Sequence, residues 1–198
     1  MNNGQYLTAH FFPKPELVTL LEKLEYRTLV ILRDPRDVAV SSSFYLAHLH
    51  RHFLNERFTS ELTSKDDRLM AVIRGLPATE TSRGLPSVGS RIERYKGWIG
   101  QPSAYLTRFE GLVGPNGGGS AEKQRREIMA IATHIRRPLN SEEADSLALK
   151  TWSTRSSTFR KGAIGDWQNH FTDQHKEAFK EVAGSGLIEL GYESDYDW

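Results

Sequence analysis

The residues with the clearest chemistry lie in one stretch, residues 28–43, which reads TLVILRDPRDVAVSSS. An apolar run ends at Arg33, and the charged residues 33–37 lead into a second apolar pattern that contains serines. An arginine at the start of a helix favours an anion site, because free peptide N–H groups, the helix dipole and the guanidinium all attract negative charge. Ser41 lies eight residues beyond Arg33, on the second turn of that helix, where its hydroxyl can face the same anion. These residues predict a phosphate site.

The elements that position this site are a buried strand over residues 28–32 and a helix over residues 35–51. Asp34 suits the N-cap of the helix, Pro35 suits its first position, and Asp37 completes an acidic variant of the capping box. The same reasoning predicts strands at residues 5–9 and 104–109, and helices at residues 15–24, 90–99, 121–135 and 173–183. Strands that alternate with helices indicate an α/β fold.

Composition limits the class of protein. The chain has 198 residues, with 26 Lys and Arg against 25 Asp and Glu, which suits one domain and argues against a general nucleic-acid-binding protein. It has no cysteine, which excludes disulfides and cysteine-ligated zinc. The first residues are polar, and no apolar run approaches the roughly 20 residues that span a bilayer. We therefore predict a cytoplasmic protein with no membrane contact.

Two further patterns allow other chemistry. His48, His50 and His52 alternate and could suggest a metal cluster, but this spacing puts neighbours on different faces of a helix, so solvated or acceptor-facing histidines are favoured. The glycine-rich residues 114–120 invite the interpretation of a nucleotide P-loop, as in a kinase or GTPase. They lack the lysine of the G-x₄-G-K-[ST] pattern, because Ser120 is followed by Ala121, and a flexible connection is predicted instead.

The stretch from Arg33 to Ser41, RDPRDVAVS, resembles the 3′-phosphate-binding segment of sulfotransferases that use 3′-phosphoadenosine-5′-phosphosulfate (PAPS). The second signature of that family, R-K-G-x-x-G-D-W, is found here as residues 160–167. The two motifs occur in the family's order, well over a hundred residues apart, which makes the resemblance specific. It points to a cytosolic-type sulfotransferase of bacterial origin. The residues that it assigns to the 3′-phosphate are Arg33, Ser41, Arg160, Lys161 and Gly162.

The resemblance also suggests a general base and an adenine contact. In the family a histidine in a short T-H-L-P-like segment is the base, and His10 in residues 8–13, TAHFFP, matches it. Histidine suits this role because its side chain titrates near neutral pH. The strand that ends at Phe109 resembles the family's Y-E-D-L strand, although phenylalanine replaces the tyrosine and Gly111 the aspartate. Phe109 is therefore the candidate on the adenine side.

The implied activity is transfer of a sulfuryl group from PAPS to a hydroxyl or amine of a small-molecule acceptor, with 3′,5′-adenosine bisphosphate (PAP) as product and no metal. The family's loop for the 5′-phosphosulfate is not recognisable ahead of His10. We therefore expect one α/β domain over residues 1–198: a parallel β-sheet flanked by helices, the P-loop-like sulfotransferase fold, incomplete at its N-terminus. Self-association or a partner chain would then cover the incomplete sheet. The alternative is a non-catalytic protein that binds PAP or PAPS or interacts with a partner, a truncated relic of the enzyme.

Overall fold

A computed structural model of the chain describes residues 4–155 and 159–198. Two strands, β1 (Thr28–Leu32) and β2 (Ala104–Arg108), are accompanied by eight α-helices in the described residues. The helices are α1 (Pro15–Lys23), α2 (Pro35–His48), α3 (Lys65–Arg74), α4 (Val88–Lys96), α5 (Phe109–Leu112), α6 (Ala121–His134), α7 (Ser141–Thr151) and α8 (Asp173–Glu189). Short helical turns occur at Arg57–Glu61, Pro115–Gly117 and Asp166–Asn169.

The two strands form a parallel sheet. Thr28 lies opposite Ala104, and Leu32 lies opposite Arg108, so both strands end at the same edge. Parallel strands need a long crossover, which helices α2, α3 and α4 provide here. The α/β fold with a parallel sheet flanked by helices is thus confirmed. Because the carboxyl ends of β1 and β2 coincide, Arg33 and Phe109 emerge side by side.

The strand predicted at residues 5–9 is wrong. Residues 5–14 form no helix or strand, and the segment instead packs on the end of α4, where the Trp98 indole N–H donates to the Phe11 carbonyl at 3.1 Å. A strand needs a neighbour to pair with, and an apolar sequence pattern does not supply one. Within the described part of the chain, the sheet consists of β1 and β2 alone.

The hydrophobic core lies among α2, α3, α4 and α8. Its largest fully buried apolar side chains are Leu54, Phe58, Ile73, Phe179 and Leu187. Gly89 allows α4 to lie against the backbone of α8, because a Cβ at this position would overlap the Val182 carbonyl oxygen. The first turn of α2 enters the same core and carries two charged residues into it, Arg36 and Asp37, which are 3% and 0% exposed.

The opposite side of the sheet is covered by α6 at β2 but open at β1. Leu29 and Ile31, alternate residues of β1, are 40% and 64% exposed. A covering layer remains a prediction. Among the described helices, none combines the length and apolarity that crossing a membrane requires.

Candidate functional site

The two sequence motifs meet at one cavity of about 210 Å³. The residues that line it are Arg33, Ser41, Phe109, Phe159, Arg160, Lys161 and Gly162. All six residues that the sequence assigned to nucleotide binding therefore line this cavity, although the motifs are far apart in the chain. The end of β1 positions Arg33, helix α2 positions Ser41, the end of β2 positions Phe109, and the loop before Asp166–Asn169 supplies the rest.

Arg33 joins the end of β1 to this loop. Its Nη2 atom donates to the Ala163 carbonyl at 2.8 Å and lies 3.5 Å from Asp37 Oδ2. Its guanidinium carbon sits 4.3 Å from the centre of the Phe109 ring, a cation–π contact. The Nε atom is buried and makes no hydrogen bond to any residue that the structure describes. Arg33 thus keeps a donor for a further partner, and an anion would satisfy it.

Asp37 does not complete the predicted capping box. The Asp34 side chain caps α2 as expected by accepting from the Arg36 N–H at 2.9 Å, but the Asp34 N–H donates to Glu110 Oε1 at 2.8 Å. The Asp37 carboxylate accepts instead from the backbone N–H groups of Gly165 and Trp167, both at 2.9 Å. Tertiary partners have replaced the local one, and Asp37 holds the second motif against the first.

One buried carboxylate organises the cations of the second motif. Asp166, whose side chain is 2% exposed, accepts from Arg160 Nη2 at 2.6 Å and from Lys161 Nζ at 2.8 Å. Asn169 Nδ2 also donates to it at 3.2 Å, and His170 Nε2 lies 3.2 Å away. Burial alone would raise the pKa of Asp166, but the hydrogen bonds from Lys161, Arg160 and Asn169 outweigh it and hold the pKa well below its ordinary value. The carboxylate is charged throughout the physiological range.

This lowered pKa predicts a pH-dependent stability. Asp166→Asn is expected to lower the free energy of unfolding at neutral pH by about 1.5–3 kcal/mol, the scale of hydrogen bonds to a charged group. A depressed pKa stabilises the fold above the ordinary value of 3.8, and this contribution is lost as the pH falls below it. The difference between wild type and variant in urea unfolding curves should therefore begin to shrink at about pH 5 and continue to shrink as the pH falls below 3.8 towards the lowered pKa. A difference that stays constant over this range would contradict the assignment.

The cavity carries excess positive charge. Arg33, Arg160 and Lys161 lie on its wall, and the paired carboxylates of Asp37 and Asp166 balance two of these three charges. Lys161 keeps 55% of its side chain exposed, and Arg160 Nε, like the Nε of Arg33, is buried without a partner in the described residues. The arrangement suits an anion with several acceptor oxygens, such as a phosphate.

Two aromatic rings complete the wall, and the sequence predicted one of them. Phe109 was predicted, whereas Phe159, which packs edge-on against Trp152 with ring centres 5.6 Å apart, was not. Gly162, with φ +62°, lies beside the rings of Trp152 and Phe159, and a Cβ here would be 2.8–2.9 Å from their atoms. Only glycine fits this turn. An aromatic residue directly before the two cations was the signal that could have identified Phe159.

The glycine-rich stretch supports the loop of the second motif. It forms the turn Pro115–Gly117, and the Gly117 carbonyl accepts from the Ile164 N–H at 2.9 Å. A Cβ on Gly117 would overlap the Gly162 carbonyl oxygen, so the close approach requires glycine. The flexible connection predicted for residues 114–120 is therefore a packed turn.

Glu110, which directly follows Phe109, links the ends of the two strands. Besides the bond from the Asp34 N–H, its Oε2 atom accepts from the Tyr192 hydroxyl at 3.3 Å. Burial, and then the negative charge of Glu110, raise the pKa of Tyr192, so its hydroxyl stays protonated and remains a donor.

The predicted base lies elsewhere. His10 is exposed, belongs to the segment without helix or strand, and is not one of the described residues that line the cavity. Its role stays a prediction. The alternating histidines His48, His50 and His52 do not form a metal site in the part of the chain that the structure describes. Residues 4–155 and 159–198 contain no group of three or more His, Asp or Glu side chains that could hold a metal.

Comparisons with known proteins find similarity to sulfotransferases. A family model described as "Sulfotransferase domain" matches residues 122–191, which include the second motif and α8. The chain is 24% identical to a 3-alpha-hydroxysteroid sulfotransferase of Cavia porcellus over 89% of its length, and 24% identical to Sulfotransferase 6B1 of Danio rerio over 96%. These matches cover 60% and 62% of the two relatives, so the chain spans about three fifths of their length.

A solved structure has the same fold. The crystal structure of mouse sulfotransferase SULT7A1 complexed with PAP superposes with a TM-score of 0.62 at 16% identity. The superposition covers 88% of this chain and 63% of the mouse protein. The chain is thus similar to sulfotransferases in sequence and in fold.

Proposed function

We propose that this chain is a PAPS-dependent sulfotransferase domain that transfers a sulfuryl group to a hydroxyl or amine of a small-molecule acceptor. The observation that carries the proposal is the convergence of Arg33 and Ser41 with Arg160, Lys161 and Gly162 on one cavity. Neither motif alone would distinguish a phosphate site from a surface ion pair. Their meeting across the fold supports a site for one shared anion.

The residues present fit the 3′-phosphate of the nucleotide. The guanidinium groups of Arg33 and Arg160 offer unpaired buried Nε donors, Lys161 supplies an exposed ammonium, and Ser41 supplies a hydroxyl. Phe109 and Phe159 offer faces on which a planar purine can lie. When bound, PAPS supplies the sulfuryl group, whose bond to the phosphate oxygen breaks as the acceptor atom bonds to sulfur.

His10 is the proposed general base that takes the proton from the acceptor as this bond forms. Its exposure leaves the imidazole accessible to an acceptor that arrives from solvent. Two similar proteins support the proposal. The relative named as a 3-alpha-hydroxysteroid sulfotransferase is consistent with a hydroxyl acceptor, and the mouse sulfotransferase complexed with PAP is consistent with PAPS as donor.

The first test is calorimetric titration of the chain with PAP, with 5′-AMP as the matched control that lacks the 3′-phosphate. We expect PAP to bind at least about tenfold more tightly, since charge-assisted hydrogen bonds to the 3′-phosphate contribute more than about 1.4 kcal/mol. Equal affinities, or no binding of either nucleotide, would contradict the site.

Turnover of PAPS in the presence of hydroxyl and amine acceptors then tests the transfer itself. His10→Ala should abolish most of the turnover and leave the affinity for PAP unchanged, because the base contacts the acceptor. Binding of PAP without any turnover would instead favour the non-catalytic alternative.

A further inference from the structure

Asp37 is a fully buried acid to which the proposed function assigns no task. It lies between the two motifs, with its carboxylate hydrogen-bonded to the N–H groups of Gly165 and Trp167 and 3.5 Å from Arg33. We infer that Asp37 is a positioning residue. It fixes Arg33 relative to the loop that carries Arg160 and Lys161, so that all three cations can bind the same phosphate. The inference rests on the proposed function for the identity of that phosphate.

The three donors around Asp37 require a carboxylate. Oδ1 accepts from Trp167, while Oδ2 accepts from Gly165 and also faces Arg33. An asparagine has one acceptor oxygen, and its NH₂ group would point at a backbone N–H. Asp37→Asn would therefore lose one backbone hydrogen bond and place two donors against each other in a site without solvent.

Arg33 and Asp37 hold neighbouring points of the same short loop. Arg33 binds the Ala163 carbonyl, and Asp37 binds the amides two and four residues further on. Between those amides lies Asp166, whose carboxylate holds Arg160 at 2.6 Å and Lys161 at 2.8 Å. A shift of the loop away from Asp37 therefore moves Asp166 and both cations relative to Arg33.

A double-mutant cycle tests this inference. Asp37→Asn, Arg33→Ala and the double variant are titrated with PAP. We expect Asp37→Asn to weaken binding at least about tenfold, and the double variant to lose less affinity than the two single losses combined, because residues that act through one another are not additive. A purely structural aspartate would give additive losses, or wild-type affinity in the folded variant, and either result would overturn the inference.

Asp34→Asn is the matched control. Asp34 is also buried, at 7% exposure, and its side chain bonds Arg36 rather than the loop. We expect this variant to unfold at lower temperature and to keep its affinity for PAP. A loss of affinity equal to that of Asp37→Asn would overturn the specific role of Asp37.

Amide hydrogen exchange at Gly165 and Trp167 separates this inference from the proposed function. Failure of the wild-type chain to bind PAP would refute the proposed function alone. Faster exchange at these two amides in Asp37→Asn than in Asp34→Asn would still support the holding role, whereas unchanged exchange would overturn it. A variant that is unfolded in buffer is measured in trimethylamine N-oxide, which favours the folded state. Unfolding even there would show that Asp37 is required for the fold, not for positioning.

Discussion

Replacement of Arg33 by alanine is expected to weaken PAP binding by about 1.5–3 kcal/mol, or roughly tenfold to a hundredfold, the scale of a lost charge-assisted hydrogen bond. Arg33 directly follows β1, lines the cavity and has a buried Nε that makes no hydrogen bond to any residue that the structure describes. Arg160→Ala should cost a similar amount, because Arg160 lines the same wall and also has an unpaired Nε. Isothermal titration with PAP measures both effects.

The control for these variants is Arg126→Ala. Arg126 is an exposed arginine of α6 that pairs with Glu122 at 3.4 Å, so its loss changes the net charge equally without touching the cavity. Its affinity for PAP should match that of the wild type at physiological ionic strength, where screening weakens distant charges. Unchanged affinity in both Arg33→Ala and Arg160→Ala would remove the phosphate assignment.

Arg36→Ala should be strongly destabilising. The Arg36 guanidinium is buried, bonds Asp34 at 2.8 Å and Glu193, and lies 4.1 Å and 4.6 Å from the ring centres of Trp167 and Trp198. Burial alone would lower the pKa of Arg36, but its bonds to Asp34 and Glu193 raise it. Its removal leaves buried Asp34 without its cation, and breaking a buried pair in this way costs about 3–5 kcal/mol.

Urea unfolding followed by tryptophan fluorescence measures this loss. The exposed pair at Arg126 again provides the comparison, since truncating it should cost less than about 1 kcal/mol. If Arg36→Ala lowered the free energy of unfolding no more than Arg126→Ala, the contacts of Arg36 with Asp34, Glu193 and Trp198 would contribute little to stability.

Local signals in the sequence explain which parts were predictable. Residues 28–43 contain a strand, a capping aspartate and a proline at the first helical position, and the structure has β1 and α2 with these bounds within a few residues. The joint assignment of the cavity residues came from the resemblance of both motifs to the sulfotransferase family. Residues 15 and 16, Pro-Glu, likewise predicted the start of α1, and the leucines at positions 17, 20, 21 and 24 predicted its apolar face.

Long-range partners explain the failures. The predicted strand at residues 5–9 lacks a neighbour, which no local pattern could reveal. Asp37 looked like a capping residue because its true partners, Gly165 and Trp167, lie 128 and 130 residues away. The packing of Gly117 against Gly162 is equally invisible along the chain, since only the folded loop brings these two glycines together.

The bond from Arg33 to the Ala163 carbonyl can form only late in synthesis of the chain, because it joins residues 130 positions apart. At translation rates of about 5–20 residues per second, roughly 6 to 26 seconds pass between the appearance of the two partners. During that interval Arg33 and Asp37 have no second motif to bind, and closing so long a loop is entropically unfavourable until it arrives. Nucleotide affinity should therefore emerge abruptly, after residue 167 has left the ribosomal tunnel, and nascent chains stalled before this point should carry α2 without a working site.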